Sequence, residues 1–139
     1  MFASMGLEDP GAAWRETAEA EFAARISADL IGAVVDHPTI PARLVASGAV
    51  TVSRRLPTPT NPTGAYGYIQ WIATDDEFRS RGCGRAVMLV LLEWLDAHEV
   101  TAIELHATRM GEPLYRSLGF WEGGGAPALR RRTWDPPPE

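Results

Sequence analysis

The sequence contains no lysine: all 13 of its basic residues are arginine. That absence excludes a Schiff-base lysine, a lysine general base and the GK[ST] phosphate loop in one step. The one cysteine, Cys83, cannot form an internal disulfide. The three histidines, His37, His98 and His106, lack HExxH spacing and have no cysteine pair beside them, so no metal site is expected. No run of about 18 or more apolar residues occurs, and a membrane span is not expected. The opening MFASMGLEDPG has no basic flank and no long apolar stretch, so a signal peptide is not read there and the cytoplasm is the expected compartment. Asn61 precedes Pro62 and is no glycosylation acceptor, and no Gly-x-Ser-x-Gly elbow is present. Positive charge is in deficit: 18 acidic residues against 13 basic ones leave a net charge of −5, which argues against nucleic acid as a partner and suits a cationic one.

What is present fits one domain over residues 1–139, with 1–8 and 135–139 as tails, because single cores run to roughly 100–200 residues. Apolar types at 45% and charged types at 22% exclude disorder of the whole chain. Residues 12–36 are predicted as one helix. Trp14, Ala18, Phe22, Ile26, Leu30 and Val34 recur every fourth position, and His37-Pro38 ends the run. Two short strands follow, Arg43–Ala46 and Ala49–Arg54, joined by a turn at Ser47-Gly48. The stretch LPTPTNPTG, Leu56–Gly64, is a semi-rigid loop, since its three prolines cannot join a ladder; it could shape a cleft or a dimer contact. Ala65–Thr74 is the strongest strand. A polar segment, a helix over Gly82–Ala97, a strand over Thr101–Ala107 and a short helix over Glu112–Ser117 come next. Phe120-Trp121 and Ala128–Trp134 are the last strand candidates. Antiparallel pairs followed by a strand–helix–strand crossover give a mixed sheet of the α/β or α+β class.

The chemistry concentrates where the strong strand meets the following helix. Arg79 to Gly84 is a glycine-punctuated loop that opens a helix. The first amides of such a helix lack internal partners, and its dipole adds partial positive charge. That makes an anion site suited to a pyrophosphate. Gly82 and Gly84 allow close approach of the backbone, and Arg79, Arg81 and Arg85 place guanidinium charge around the same mouth. A dinucleotide fingerprint is excluded because Val87 stands where its third glycine belongs. Taken alone, the segment is equally a tight loop carrying solvated arginines.

Arg79-x-x-Gly82-x-Gly84 behind an aromatic strand, with Pro113-Leu-Tyr-Arg-Ser-Leu-Gly-Phe120 further on, resembles the GNAT superfamily of acyl-CoA-dependent N-acetyltransferases over roughly Gly67 to Trp121. The resemblance implies a GNAT-like mixed-sheet fold, shortened at its amino terminus, with acetyl-CoA as co-substrate and no metal. It implies a strand that parts from its neighbour at a bulge, so that Ile72, Ala73 and Thr74 pair with the pantetheine arm. The pyrophosphate would sit on the amides of Arg81, Gly82, Cys83, Gly84 and Arg85, with Arg79 and Ser80 at the rim. A strand amide would polarise the thioester carbonyl. Tyr115 aligns with the family tyrosine that protonates the departing thiolate; its other role would be to anchor the short helix in the core.

This chain departs from the family pattern at several positions. Many members carry a glutamate base on the central strand, whereas this strand offers Gln70 and no carboxylate before Asp75. The base could be water-relayed, substrate-supplied, absent, or His106 from the neighbouring strand. Thr108 stands where an asparagine is frequent, and Cys83 where an aliphatic residue is usual, either as an apolar filler or as an acyl carrier. The family's usual first strand and helix are not recognised before residue 12, so either residues 1–8 replace that unit or the sheet has an uncovered edge. A bare sheet edge invites a second copy, so a homodimer is expected. Trp71, Tyr66 and Tyr68 are candidates for the acceptor cleft. The implied acceptor is a small-molecule or peptide amine. The rival functions are an acyl-CoA-binding regulatory module without turnover and an assembly protein that has lost cofactor affinity.

Overall fold

Four strands make one sheet in the order β1-β2-β3-β4: β1 (Leu30–Asp36), β2 (Leu44–Arg54), β3 (Ala65–Thr74) and β4 (Ala102–Leu105). The computed structural model describes residues 11–123. The first three strands pair antiparallel, and β4 lies parallel to β3. Helix α1 (Ala13–Arg25) precedes the sheet, α2 (Cys83–Ala97) forms the crossover from β3 to β4, and α3 (Glu112–Ser117) follows β4. The mixed α/β sheet is thus the one anticipated.

The core lies between the sheet and α2. Val87, Met88, Leu91 and Leu95 are buried at 2% exposure or less and meet Val50, Ile69 and Ala46. Each such side chain contributes on the order of 1.5–3 kcal/mol. Two glycines of the sheet permit this contact. A Cβ on Gly67 would lie 2.7 Å from Leu95 Cδ2, and one on Gly48 would lie 2.4 Å from Ile72 Cδ1 and 2.6 Å from Val87 Cγ1.

Gly48 also explains one correction. The sequence reading placed a turn at Ser47-Gly48, but β2 runs unbroken through both residues. The glycine is there because α2 leaves no room for a side chain, not because the chain reverses. A second correction concerns the helix predicted over residues 12–36. It stops at Arg25, and Leu30–Asp36 is strand β1. Ser27 takes a positive φ of 66°, and the Arg25 guanidinium clamps Asp29 through bonds of 3.0 and 2.9 Å. Within β1, Ala33 faces α2, whereas Gly32 faces Phe22 of α1, which is the two-residue alternation of a strand. The apolar four-residue spacing holds only over Trp14, Ala18 and Phe22, which are half-buried; no residue of α1 is fully buried.

Phe120-Trp121 forms no strand. The strand expected over Ala128–Trp134 and the tails 1–8 and 135–139 lie outside the described residues. β4 is shorter than the Thr101–Ala107 predicted for it, and its early end matters for the site. The loop before β3 is held by Asn61, a buried polar residue whose Nδ2 donates to the Ala65 carbonyl at 3.0 Å and whose Oδ1 accepts from Thr63 at 3.2 Å.

Candidate active site

The last ladder pair between β3 and β4 is Ile69 with Leu105, yet β3 continues to Thr74. From Gln70 onward β3 is therefore paired with β2 alone, and its other edge lies open among the described residues. The same stretch carries a bulge. Ala49 pairs with Gln70 and Ser47 with Ala73, so Trp71 and Ile72 together oppose Gly48. Trp71 takes a left-handed φ of 60°, a strained state for an aromatic residue. The extra residue shifts the alternation: Gly67 and Ile69 face α2 before it, and Ile72 and Thr74 after it.

Beyond Thr74 a single 3-10 turn, Asp76–Phe78, leads into the glycine loop. Ser80 has φ 60° and Gly82 φ 83°, so the loop twists through two left-handed residues before α2 starts. Gly82 is the N-cap, and no side chain bonds the first turn of the helix. The orphan amides of that turn are therefore available to a ligand. Gly84 has a different role: a Cβ there would lie 3.3 Å from Leu114 Cδ2, crowding the space between α2 and α3.

These features border one cavity of about 690 Å³. Its wall includes Ile72, Ala73 and Thr74 from the open end of β3. Arg79, Ser80, Gly82, Cys83, Gly84 and Arg85 line it from the loop and helix, and Tyr115 from α3. Arg81 is the predicted residue that does not line it, because its guanidinium sits over the Phe78 ring, 5.1 Å from the centroid. Arg79 pairs with Asp76 at 2.9 Å, and Arg85 donates to Ser117 Oγ at 2.5 Å. Sequence reasoning did not find Phe78, Met110, Gly111 and Leu114, which complete the wall. Gly111 gives the Tyr115 ring room: a Cβ on it would approach Tyr115 Cε2 to 2.9 Å.

Tyr115 is 8% exposed and meets Phe120 edge to face at 6.2 Å. Among the described residues its hydroxyl has no hydrogen-bond partner, yet no buried side-chain oxygen is left unpaired. The hydroxyl therefore opens to the cavity. Burial raises the phenol above its ordinary pKa, which keeps the proton on oxygen. His106 stands one residue past the end of the β3–β4 ladder and meets the Tyr68 ring at 5.9 Å, nearly perpendicular. Among the described residues no cluster of His, Cys, Asp or Glu could hold a metal ion, and no helix is long and apolar enough to cross a membrane.

An open strand edge, an uncapped helix mouth and the Tyr115 phenol thus border one cavity. The model of the acetyltransferase (GNAT) family matches residues 7–120, and the chain belongs to that family. No curated protein matches it significantly. Solved structures share the fold. A predicted acetyltransferase of Clostridium acetobutylicum, crystallised with acetyl-CoA, superposes with a TM-score of 0.74 at 23% identity, over 90% of this chain and 79% of the other. A GCN5-related N-acetyltransferase of Ralstonia eutropha gives 0.71 at 24% identity, over 84% and 73%. Glucosamine-6-phosphate N-acetyltransferase of Arabidopsis thaliana gives 0.72 at 15% identity, over 94% and 85%.

Proposed function

We propose that this protein transfers an acetyl group from acetyl-CoA to a primary amine by direct attack in a ternary complex. The observation that carries this reading is the convergence, on one cavity, of the uncapped first turn of α2, the open edge of β3 and the hydroxyl of Tyr115. The amides from Gly82 to Arg85 hold the pyrophosphate. The edge at Ile72, Ala73 and Thr74 receives the pantetheine arm, and a main-chain amide at the bulge polarises the thioester carbonyl. As the acceptor nitrogen forms its bond to the carbonyl carbon, a water molecule takes the nitrogen's proton. As the carbon–sulfur bond breaks, Tyr115 gives its proton to the thiolate. The remaining acceleration comes from orientation. His106 is not assigned as the base, because it borders a separate hollow with Glu104 and Phe120 and is not in the wall of this cavity.

A module that binds acyl-CoA without turnover is the second reading, favoured by the neutral Gln70 on the central strand. Calorimetry with acetyl-CoA together with thiol release against amines separates the two. Binding with amine-dependent thiol release establishes the transferase, and binding with no release above background establishes the module. In the same reading, a second copy covers the outer edge of β1, which has no neighbour among the described residues. Light scattering at micromolar concentration should return the mass of a dimer.

A further inference from the structure

A second hollow, of about 350 Å³, lies on the sheet face opposite α2. Its walls are Phe22 of α1, Val34 of β1 and Trp71 on the bulge, and Ser47, Ala73 and Asp75 lie along its side. Phe22 and Trp71 stack with their ring centroids 5.3 Å apart and their planes 27° from parallel. The left-handed φ of Trp71 is the strain that holds the indole on this face while Ile72 returns to the other. Ala73 borders both this hollow and the larger cavity. The two sites therefore share a wall residue in the half of β3 that lies beyond the ladder with β4. A molecule seated against Trp71 approaches the bulge from the side opposite the helix mouth.

The charge pattern of the hollow is specific. Asp75 is the ionisable group among its lining residues. Its Oδ2 pairs with Arg43 at 3.3 Å, and the same guanidinium reaches Glu77 at 3.9 Å. One arginine between two carboxylates leaves a net negative charge at that end. The rest of the wall is aromatic, aliphatic or a serine hydroxyl. Such a site attracts a cation on an apolar body. It offers nothing to a phosphate and repels a carboxylate, because no guanidinium faces the hollow unpaired among the described residues.

Building on the transferase reading above, we propose that this hollow is the acceptor site and that the acceptor is a primary amine on a flat apolar body, carrying neither carboxylate nor phosphate. The aromatic part lies against Trp71 and Phe22, and the amine, drawn in as the ammonium that the Asp75 end attracts, gives one proton to water and faces the bulge as the neutral nucleophile.

The test compares three probes by thiol release: 2-phenylethylamine, phenylalanine and glucosamine 6-phosphate. The expected kcat/KM for phenylethylamine exceeds the other two by at least about tenfold. Val34→Trp fills the hollow from a position 55% exposed, where the change is compatible with folding. It should raise KM for phenylethylamine at least about tenfold and leave acetyl-CoA affinity, read by calorimetry, unchanged. Asp75→Asn should narrow the preference for phenylethylamine over phenylalanine. Preference for the sugar phosphate, or an unaltered KM in Val34→Trp, overturns the assignment. If acetyl-CoA binds and none of the three amines is used, this inference fails while the cofactor site stands. If acetyl-CoA does not bind at all, the transferase reading itself fails.

Discussion

The two halves of β3 have similar composition and opposite duties. Ala65 to Ile69 alternates between buried and half-buried residues and is bonded on both sides, by β2 and by β4. Gln70 to Thr74 is half-buried throughout, bonded on one side and interrupted by the bulge. The first half carries the core: Ile69 is 2% exposed and Gly67 admits Leu95. The second half gives up ladder bonds and tolerates a left-handed tryptophan. In return, it presents to a cavity an edge that β4 does not cover. One strand thus supplies both a rigid foundation and a reactive edge, and the break between them falls where β4 ends.

The sharpest way to break this comparison is to truncate one isoleucine from each half. Ile69→Ala should cost about 2–5 kcal/mol in chemical denaturation. Ile72→Ala should cost about 1 kcal/mol and show its main effect in weakened acetyl-CoA binding. Equal losses of stability would mean that the halves do not differ. Next in size, Tyr115→Phe should lower kcat about a hundredfold with acetyl-CoA affinity unchanged in calorimetry. Unchanged kcat would assign the ring to packing alone.

Titration sharpens the same point. Burial holds the Tyr115 phenol above its ordinary value of about 10. The active species is the protonated one, so an alkaline loss of kcat traced to Tyr115 should begin only above that pH. The linked stability has the same sign: it is fully present below about pH 10 and is lost as pH rises through the folded value, because the unfolded chain ionises first. Alkaline denaturation of the wild type and of Tyr115→Phe, followed in parallel, measures the difference.

Gly84→Glu places a side chain and a negative charge at the helix mouth, beside Leu114. Acetyl-CoA affinity should fall by at least about tenfold, or ~1.4 kcal/mol. Unchanged affinity in the folded variant would refute the placement of the phosphates. The smallest effect is expected far from the open edge. Arg55 reaches Glu104 at 3.0 Å across the paired half of the sheet, with both side chains about half exposed. A double-mutant cycle there should return about 0.2–1 kcal/mol, falling with added salt.

The parts of this molecule that were legible in the sequence are those where one local signal acts alone. The bounds of β3 and α3 coincide with those predicted, because β-branched and aromatic density marks the first and Gly111-Glu-Pro opens the second. The glycine loop was legible because Gly82 serves a local backbone need, while Gly84 leaves room for Leu114 of α3. Where two periodicities overlapped, reading failed: Leu30 and Val34 extend the spacing of α1, while Ile31, Ala33 and Val35 alternate as a strand, and the clamp of Arg25 on Asp29 marks the boundary. Gly48 misled because a turn and a close approach demand the same residue. The wall at Phe78 and Met110 was hidden because one side chain comes from the 3-10 turn after β3 and the other from the segment before α3, a matter of tertiary placement.

Gly48 has a consequence beyond the core. A Cβ there would press on Val87, which lies in the opening turns of α2, just after Gly84. A side chain at position 48 would act as a wedge between Ile72 of β3 and Val87 of α2. On the reading proposed above, those residues flank the pantetheine edge and the helix mouth, so a change in the middle of β2 should surface as lost acetyl-CoA affinity at a distance from the residue changed.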